Sequence, residues 1–382
     1  MAWLYDKHVV LTMKGDCMVR GKYVLAVLLV MLMSGISLFG CTRVSKQTSQ
    51  SSIDVKSKYF SSEKVMPKAR RARVTFRVDV GSFKGAKKVR MWLPYPVSNK
   101  HQAITNVGIS GNYANSGIYS DGKLKNMMLY TEWTNPQVVP DISFSFDVKR
   151  SEIIKKDFPD SEETSIDPDI KDYLMPSGLV STDGAVKETA EKIAEGKTSA
   201  LAKSEAVYDY LVENYKRDDT VKGCGQGDVC GLLNSKKGKC ADIHSVYVAL
   251  SRSVGVPARE IFGIRIPKES EGDMTKAYHC IAEFYMPGYG WVPVDASDVL
   301  KLMLKENLKL DDPKVKDARS YFFGTQTANY VEFGTGRDIT LNPPQEAGKL
   351  NYFMYPYVEV DGKALDYLSQ KDFKYTVIYK EL

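Results

Sequence analysis

Cys240, His279 and Asp295 follow one another in chain order, each in a stretch that reads as a regular element. A thiol serves as a nucleophile at neutral pH only if something lowers its pKa and something else carries protons. Gly238 permits a tight approach, and Cys240 falls on or beside a helix N-cap. Ile243, Val246, Tyr247, Leu250 and Val254 then recur at helical spacing until Gly255 and Pro257 stop the helix. The positive end of a helix macrodipole favours thiolate over thiol. An imidazole able to take the proton, with a carboxylate on its far nitrogen, would complete a nucleophile, a base and an orienting acid. His279 sits in the strand-like run AYHCIAEFYM, and Asp295 ends the apolar run 291–294. Each residue also has an ordinary structural use, as a small hydrophobe, a core histidine or a turn cap. Asp298 competes with Asp295 for the acid's place. His244 competes with His279 as the base, and Asp242 suits an N-terminal charge partner.

Three motifs carry a family resemblance: a helix ending YDYLVENYKRD, then GKCADIHSVYVALSRSVGVPARE, then AYHCIAEFYMPGYGWVPVDASD. Together, over about residues 198–298, they resemble the transglutaminase-like superfamily, whose core shares the papain-like cysteine-enzyme architecture. The resemblance implies an α+β fold, with the helix bearing the nucleophile packed on an antiparallel sheet. It makes Cys240 the nucleophile, His279 the general base and Asp295 its orienting acid. Acyl transfer also needs donors aimed at a developing oxyanion. The Cys240 N–H at the helix start is the first candidate. Asn234, six residues earlier, falls where papain-like enzymes place an amide side chain. Trp291, with Tyr285 and Tyr289, lies between His279 and Asp295 and is expected to support and shield the imidazole. No calcium loop with regularly spaced acids is present, so neither a metal nor another cofactor is expected.

The front of the chain bears on compartment. Residues 23–40, YVLAVLLVMLMSGISLFG, form an apolar run preceded by Arg20 and Lys22 and followed by Cys41, the pattern of a secretory signal. The run Leu38-Phe39-Gly40-Cys41 resembles a bacterial lipobox with Cys41 as the lipidated residue. An uncleaved membrane anchor is the alternative, and Met13 or Met18 is a plausible true start. Thr42 after the lipid cysteine resembles outer-membrane rather than inner-membrane lipoproteins. The expected location is therefore the periplasmic face of a bacterial envelope. Residues 42–70 are polar and rich in Ser, Lys and Gln, and read as a flexible tether.

Composition favours a globular enzyme over a charged binding module, and the resemblance implies a protein or peptide substrate. The chain has 53 basic and 47 acidic residues, interspersed, for a net charge of +6. That leaves no footprint for nucleic-acid binding. Cys224 and Cys230 bracket the loop GCGQGDVCG, and a disulfide between them suits an oxidising compartment. A zinc site using Cys224, Cys230 and Cys280 would need a fourth ligand. Cys280 is expected to face a core, opposite to His279.

The expected organisation is a leader and signal over 1–41, the tether over 42–70, and a small antiparallel β-domain over 71–150. A linker over 151–183 and a catalytic core over 184–300 follow. Strands over 301–382 then complete the core or form a small β-subdomain. The β-domain rests on RVTFRVDV, KVRMWLPYP, AITNVGIS, MMLYTEWT and DISFSFDVKR, separated by turn residues. Helices are expected near 184–195 and 198–216. Oligomeric state has no sequence signature here.

Overall fold

The computed structural model describes residues 52–81, 83–368 and 370–382. The expected signal, Cys41 and the first part of the tether lie outside the described residues. The N-terminal sheets use six strands from the first part of the chain: β1 (Ala69–Asp79), β2 (Lys88–Pro94), β3 (Gln102–Gly111), β4 (Asn115–Ser120), β5 (Met127–Thr134) and β6 (Asp141–Ser151). Helices α1 (Ala185–Ile193), α2 (Ala200–Asn214), α3 (Val229–Ser235) and α4 (Cys240–Ser253) follow. Then come β7 (Ala258–Arg265), β8 (Glu271–Asp273), β9 (Tyr278–Met286) and β10 (Gly290–Val294). Helices α5 (Ala296–Glu306) and α6 (Pro313–Phe322) lead to β11 (Tyr330–Thr335), β12 (Tyr357–Val360), β13 (Lys363–Ala364) and β14 (Lys374–Glu381).

The fold is α+β, as expected. A four-stranded antiparallel sheet, ordered β10-β9-β7-β11, supports α4. Two five-stranded sheets, β8-β14-β1-β6-β3 and β13-β12-β2-β5-β4, make a sandwich. Strict alternation sets that sandwich: Val74, Phe76 and Val78 of β1, Phe144 and Phe146 of β6, and Val89, Met91 and Leu93 of β2 all point into one core. The same core runs on through Phe262, Val331, Tyr352 and Met354 to Cys240 and Ala241 at the head of α4. The β-domain and the catalytic unit therefore share one interior.

Helix α4 is buried on every side from Cys240 to Ser251, between α1, α2, α3 and α5 and the sheet. An apolar stripe in sequence predicts one buried face. Here Asp242, His244, Ser245 and Ser251 are buried as well. The predicted helices near 184–195 and 198–216 are α1 and α2. The latter buries Leu201, Val207, Tyr208, Leu211 and Val212.

Three parts of the expected layout change. The tether is shorter, because Ser52–Asp54 pairs with Ser161–Glu163 and Val55 and Tyr59 are buried against the catalytic unit. The linker is packed: Phe158 is buried, and Glu162 accepts from the N–H groups of Ala200 and Leu201 to cap α2. Of the C-terminal strands, only β11 completes the sheet under α4. Strands β12, β13 and β14 return to the N-terminal sandwich, with β14 running antiparallel along the length of β1. Among the described residues, no helix is long and apolar enough to cross a membrane.

Candidate active site

The head of α4 is fixed by a loop and a carboxylate. Asp242 accepts from the N–H groups of Lys239 and Gly227, both at 2.9 Å, and the Ala241 N–H donates to the Cys224 carbonyl at 2.9 Å. Gly225 (φ +95°) and Gly238 lie so close to the Asp242 side chain that a Cβ at either would overlap it. Glycine here allows the loop to approach, and the loop fixes the helix start. A helix's first N–H groups have no acceptor within the helix. With that of Ala241 already taken, the Cys240 N–H is the helix's donor at the nucleophile's own position.

His279 is the second residue of β9. Its backbone carbonyl accepts from the Tyr330 hydroxyl at 3.2 Å, and that hydroxyl also reaches the Ile261 carbonyl at 2.6 Å. The His279 Nε2 lies 2.7 Å from Asp295 Oδ2. Nδ1 is thereby the ring nitrogen left for the thiol. Asp295 follows β10 and is the N-cap of α5, where Oδ1 accepts from the Asp298 N–H at 2.9 Å. It both caps a helix and binds an imidazole, one oxygen for each. Asp298 instead pairs with Arg265, whose Nη2 is 2.6 Å from Asp298 Oδ2 and 3.2 Å from Asp295 Oδ2. His279, Asp295 and Asp298 have the spacing of a metal-ligand group. The Arg265 guanidinium lies against both carboxylates, in the position a cation would take.

The electrostatics favour a thiolate facing an imidazolium. The Cys240 thiol is held well below its ordinary pKa, first by hydrogen bonds from the Cys224 and Cys280 thiols and then by His279, against the effect of burial. Cys224 and Cys280 are pushed up and stay protonated: Cys224 by its bond to Cys240 and then burial, Cys280 by burial and then Cys240. Burial and Arg265 push the His279 pKa down, but Asp295 and Cys240 outweigh them and leave it raised. Burial opposes ionisation of Asp295, yet His279 and His244 together hold it well below the usual carboxylate range.

His244 was legible only as a rival base, and Arg265 was not legible as a site residue. His244 is fully buried one turn after Cys240, with Nε2 3.3 Å from Asp295 Oδ1 but not aligned for a hydrogen bond. Its Nδ1 is 3.5 Å from Cys280 Sγ. Cys280 does face the core, as alternation predicts, but that core includes α4 and brings it to the nucleophile. The i, i+4 spacing of Cys240 and His244 is the one sequence signal available for this group. Arg265 gives none, as it merely ends a strand.

Three expectations are corrected. The Cys224–Cys230 disulfide is not formed: Cys224 is a buried free thiol whose Sγ lies 3.3 Å from the Tyr278 carbonyl. The loop turns residue 224 toward the head of α4, while residue 230 opens α3. Asn234 is exposed, with its Nδ2 on the Cys230 carbonyl at 3.5 Å, and does not reach the cleft. Asn234 lies in the last turn of α3, which Lys236 ends in a left-handed conformation. Trp291 does not support His279. It pairs with Tyr285, six residues or about 20 Å further along β9, and its ring packs 4.1 Å from the Arg259 guanidinium and beside Tyr173.

Cys240 and His279 open into a cleft of about 1130 Å³, part-walled by Tyr278, Tyr355 and Tyr375. The buried His279–Asp295 pair adjoins this cleft. The transglutaminase-like superfamily model matches residues 187–296. An uncharacterized protein of Haemophilus influenzae is 35% identical over 320 residues, covering 77% of this chain and 87% of that protein. A Cytophaga hutchinsonii crystal structure described as a "Putative Cysteine Protease" aligns with a TM-score of 0.53 at 14% identity, over 82% of this chain and 91% of that one. The chain belongs to the transglutaminase-like superfamily.

Proposed function

We propose that this protein is a cysteine acyl-transfer enzyme that hydrolyses peptide or side-chain amides. The observation that carries the reading is the His279–Asp295 pair, 2.7 Å apart and buried beside Cys240. The Cys240 thiolate attacks the amide carbonyl carbon, and the oxyanion forms against the Cys240 N–H. The imidazolium of His279 gives its Nδ1 proton to the departing amine, leaving a thioester on Sγ. Water then attacks the thioester. His279 takes a proton from that water, and collapse releases the carboxylic acid and restores the thiolate. Asp295 keeps the ring oriented and stabilises its charge through both steps. Lysines that line the cleft without an acidic partner favour water over a protonated amine as the second nucleophile, hence hydrolysis over cross-linking. The Cytophaga protein's description points the same way.

We also propose that Cys41 carries a lipid and holds the enzyme at the periplasmic face of the outer membrane, where Cys41→Ser should release it into the soluble fraction or block its processing. Unchanged membrane attachment and processing would refute this. The enzyme reading is tested by mass spectrometry of a Gln- and Lys-containing peptide library incubated with the protein and with Cys240→Ala. New C-termini or deamidated Gln, absent with the variant, are expected. Isopeptide products would convert the reading to cross-linking. Identical libraries, together with ordinary thiol alkylation at Cys240, would leave a peptide-binding module instead.

A further inference from the structure

The charge around the cleft is out of step with the chain. Overall the sequence is close to balance, 53 basic against 47 acidic residues. Of the residues lining the cleft, six are Lys or Arg and two are Asp. Both aspartates are already engaged. Asp298 is held by Arg265 at 2.6 Å, and Asp273 accepts from the Thr275 N–H at 2.7 Å in its own turn. The arginines are engaged too, Arg265 as described and Arg217 with Asp219 at 2.8 Å and the Ser297 hydroxyl at 3.2 Å. The lysines are different. Lys239, Lys268, Lys276 and Lys301 line the cleft, and none has a carboxylate within ion-pair distance among the described residues.

Lys301 shows the imbalance best. It is half-buried on α5, beside the His–Asp pair, and crowded by Arg265 and Arg217. Burial first, then Arg265, hold its pKa below the ordinary lysine value, while Asp298 opposes them only in part. Asp219, outside the lining, is shared among Arg217, Lys239 and Lys301, and Asp295 is taken by His279 and Arg265. A cation kept partly out of water without its own counter-ion is a disposition that costs stability unless something anionic arrives. Lys268 and Lys276 are exposed in the segment that joins β7 to β9 and leads to Tyr278. The cleft lining thus combines aromatic rings with two groups of lysines that have no ion-pair partner among the described residues.

We infer that the cleft selects acyl donors carrying carboxylates close to the scissile amide: acidic peptides, with one carboxylate taken near Lys301 and Lys239 and another near Lys268 and Lys276. The inference rests on the acyl-transfer reading of the site, and deepens it by naming the substrate class. Lys301 in this account is a specificity-determining residue, while the chemistry stays with Cys240 and His279.

The test separates recognition from turnover. In full-length Cys240→Ala protein, fluorescence anisotropy would compare a labelled peptide bearing Glu on both sides of a central Gln with one in which every Glu is Gln. At low ionic strength the acidic peptide should bind at least tenfold more tightly, and the preference should shrink as salt rises. Lys301→Gln should lose at least threefold of that preference with an unchanged melting temperature. Lys268→Glu with Lys276→Glu should reverse it at the outer wall. Equal binding of the two peptides, absence of binding by either at millimolar peptide, or an acidic preference untouched by both variants would overturn the inference. Selective binding by Cys240→Ala alongside an inactive wild type would instead keep the substrate class and defeat the acyl-transfer reading.

Discussion

Asp295 divides its two oxygens between different tasks, which makes its role separable. Asn is as good an N-cap as Asp, so Asp295→Asn keeps α5 capped through Oδ1 while removing the charge beside His279. Turnover should fall by roughly 10²- to 10⁴-fold, as for other triads that lose the acid's charge. The pH response has a definite sign. Because the folded carboxyl ionises well below its usual range, its charge adds stability above about pH 4, and that contribution is lost as pH falls further. Urea unfolding should show wild type more stable than Asp295→Asn at pH 6, with the gap closing toward pH 3. A gap that widens in acid would contradict the depressed pKa. Cys240 should react with iodoacetamide well below pH 8.5, where an ordinary thiol is mostly protonated, and His279→Ala should move that reactivity upward. His244→Gln removes the second imidazole beside Asp295 without touching the thiol's base. It should lower kcat about tenfold while shifting the alkylation profile less than His279→Ala does. Unchanged kcat would reduce His244 to packing. The candidate triad was legible because its three residue types each end or begin a periodic run. His244 was legible as a rival base but not as a neighbour of Asp295, because a helix buried all round hides its polar face behind an ordinary stripe.

At the scale of elements, the site depends on a loop being laid against a helix start. Gly225 is in the left-handed region and abuts the Asp242 carboxylate. Gly225→Ala therefore meets two penalties, a backbone cost of about 1–2 kcal/mol and displacement of the carboxylate that caps Lys239 and Gly227. A melting temperature lower by several degrees and a Cys240 thiol of more ordinary reactivity are expected together. Thermal scans and alkylation rates on the same sample would check this, and loss of stability without any change in reactivity would uncouple the loop from the nucleophile. Periodicity also identified α4, β9 and five of the six N-terminal strands. It failed for β4 (Asn115–Ser120), whose Gly117 breaks the alternation, and for Asn234, whose side chain stays exposed on α3 with its amide on the Cys230 carbonyl. Local signals describe an element well and its destination poorly.

For the whole molecule, that destination matters most at the C-terminus. The run FKYTVIYKEL reads as a strand, but nothing in it indicates a partner some 300 residues earlier in the chain. In the fold, β14 lies between β1 and β8, so it joins the N-terminal sandwich to a strand of the catalytic unit. Phe373, Tyr375, Val377 and Tyr379 are all buried there, and Tyr375 also lines the cleft. Burying four such side chains contributes about 2 kcal/mol each, a sum of about 8 kcal/mol that is comparable with the net stability of an entire domain. Arg150 adds a second tie: its buried guanidinium reaches from β6 to Gln326 and toward Glu332 of β11. A chain ending at residue 365 should therefore fail to fold cooperatively, although every candidate catalytic residue precedes the cut. Separate expression of residues 184–335 should fail in the same way, since its sheet would expose Phe262, Val331 and Phe333, which pack into the shared core. Co-expressing the truncated chain with a peptide spanning 366–382 should restore part of the protease-resistant material, because strand pairing with β1 needs no covalent link. If the truncated chain instead melts cooperatively and keeps Cys240 reactive at low pH, the sandwich is an appendage and the shared interior has no energetic weight.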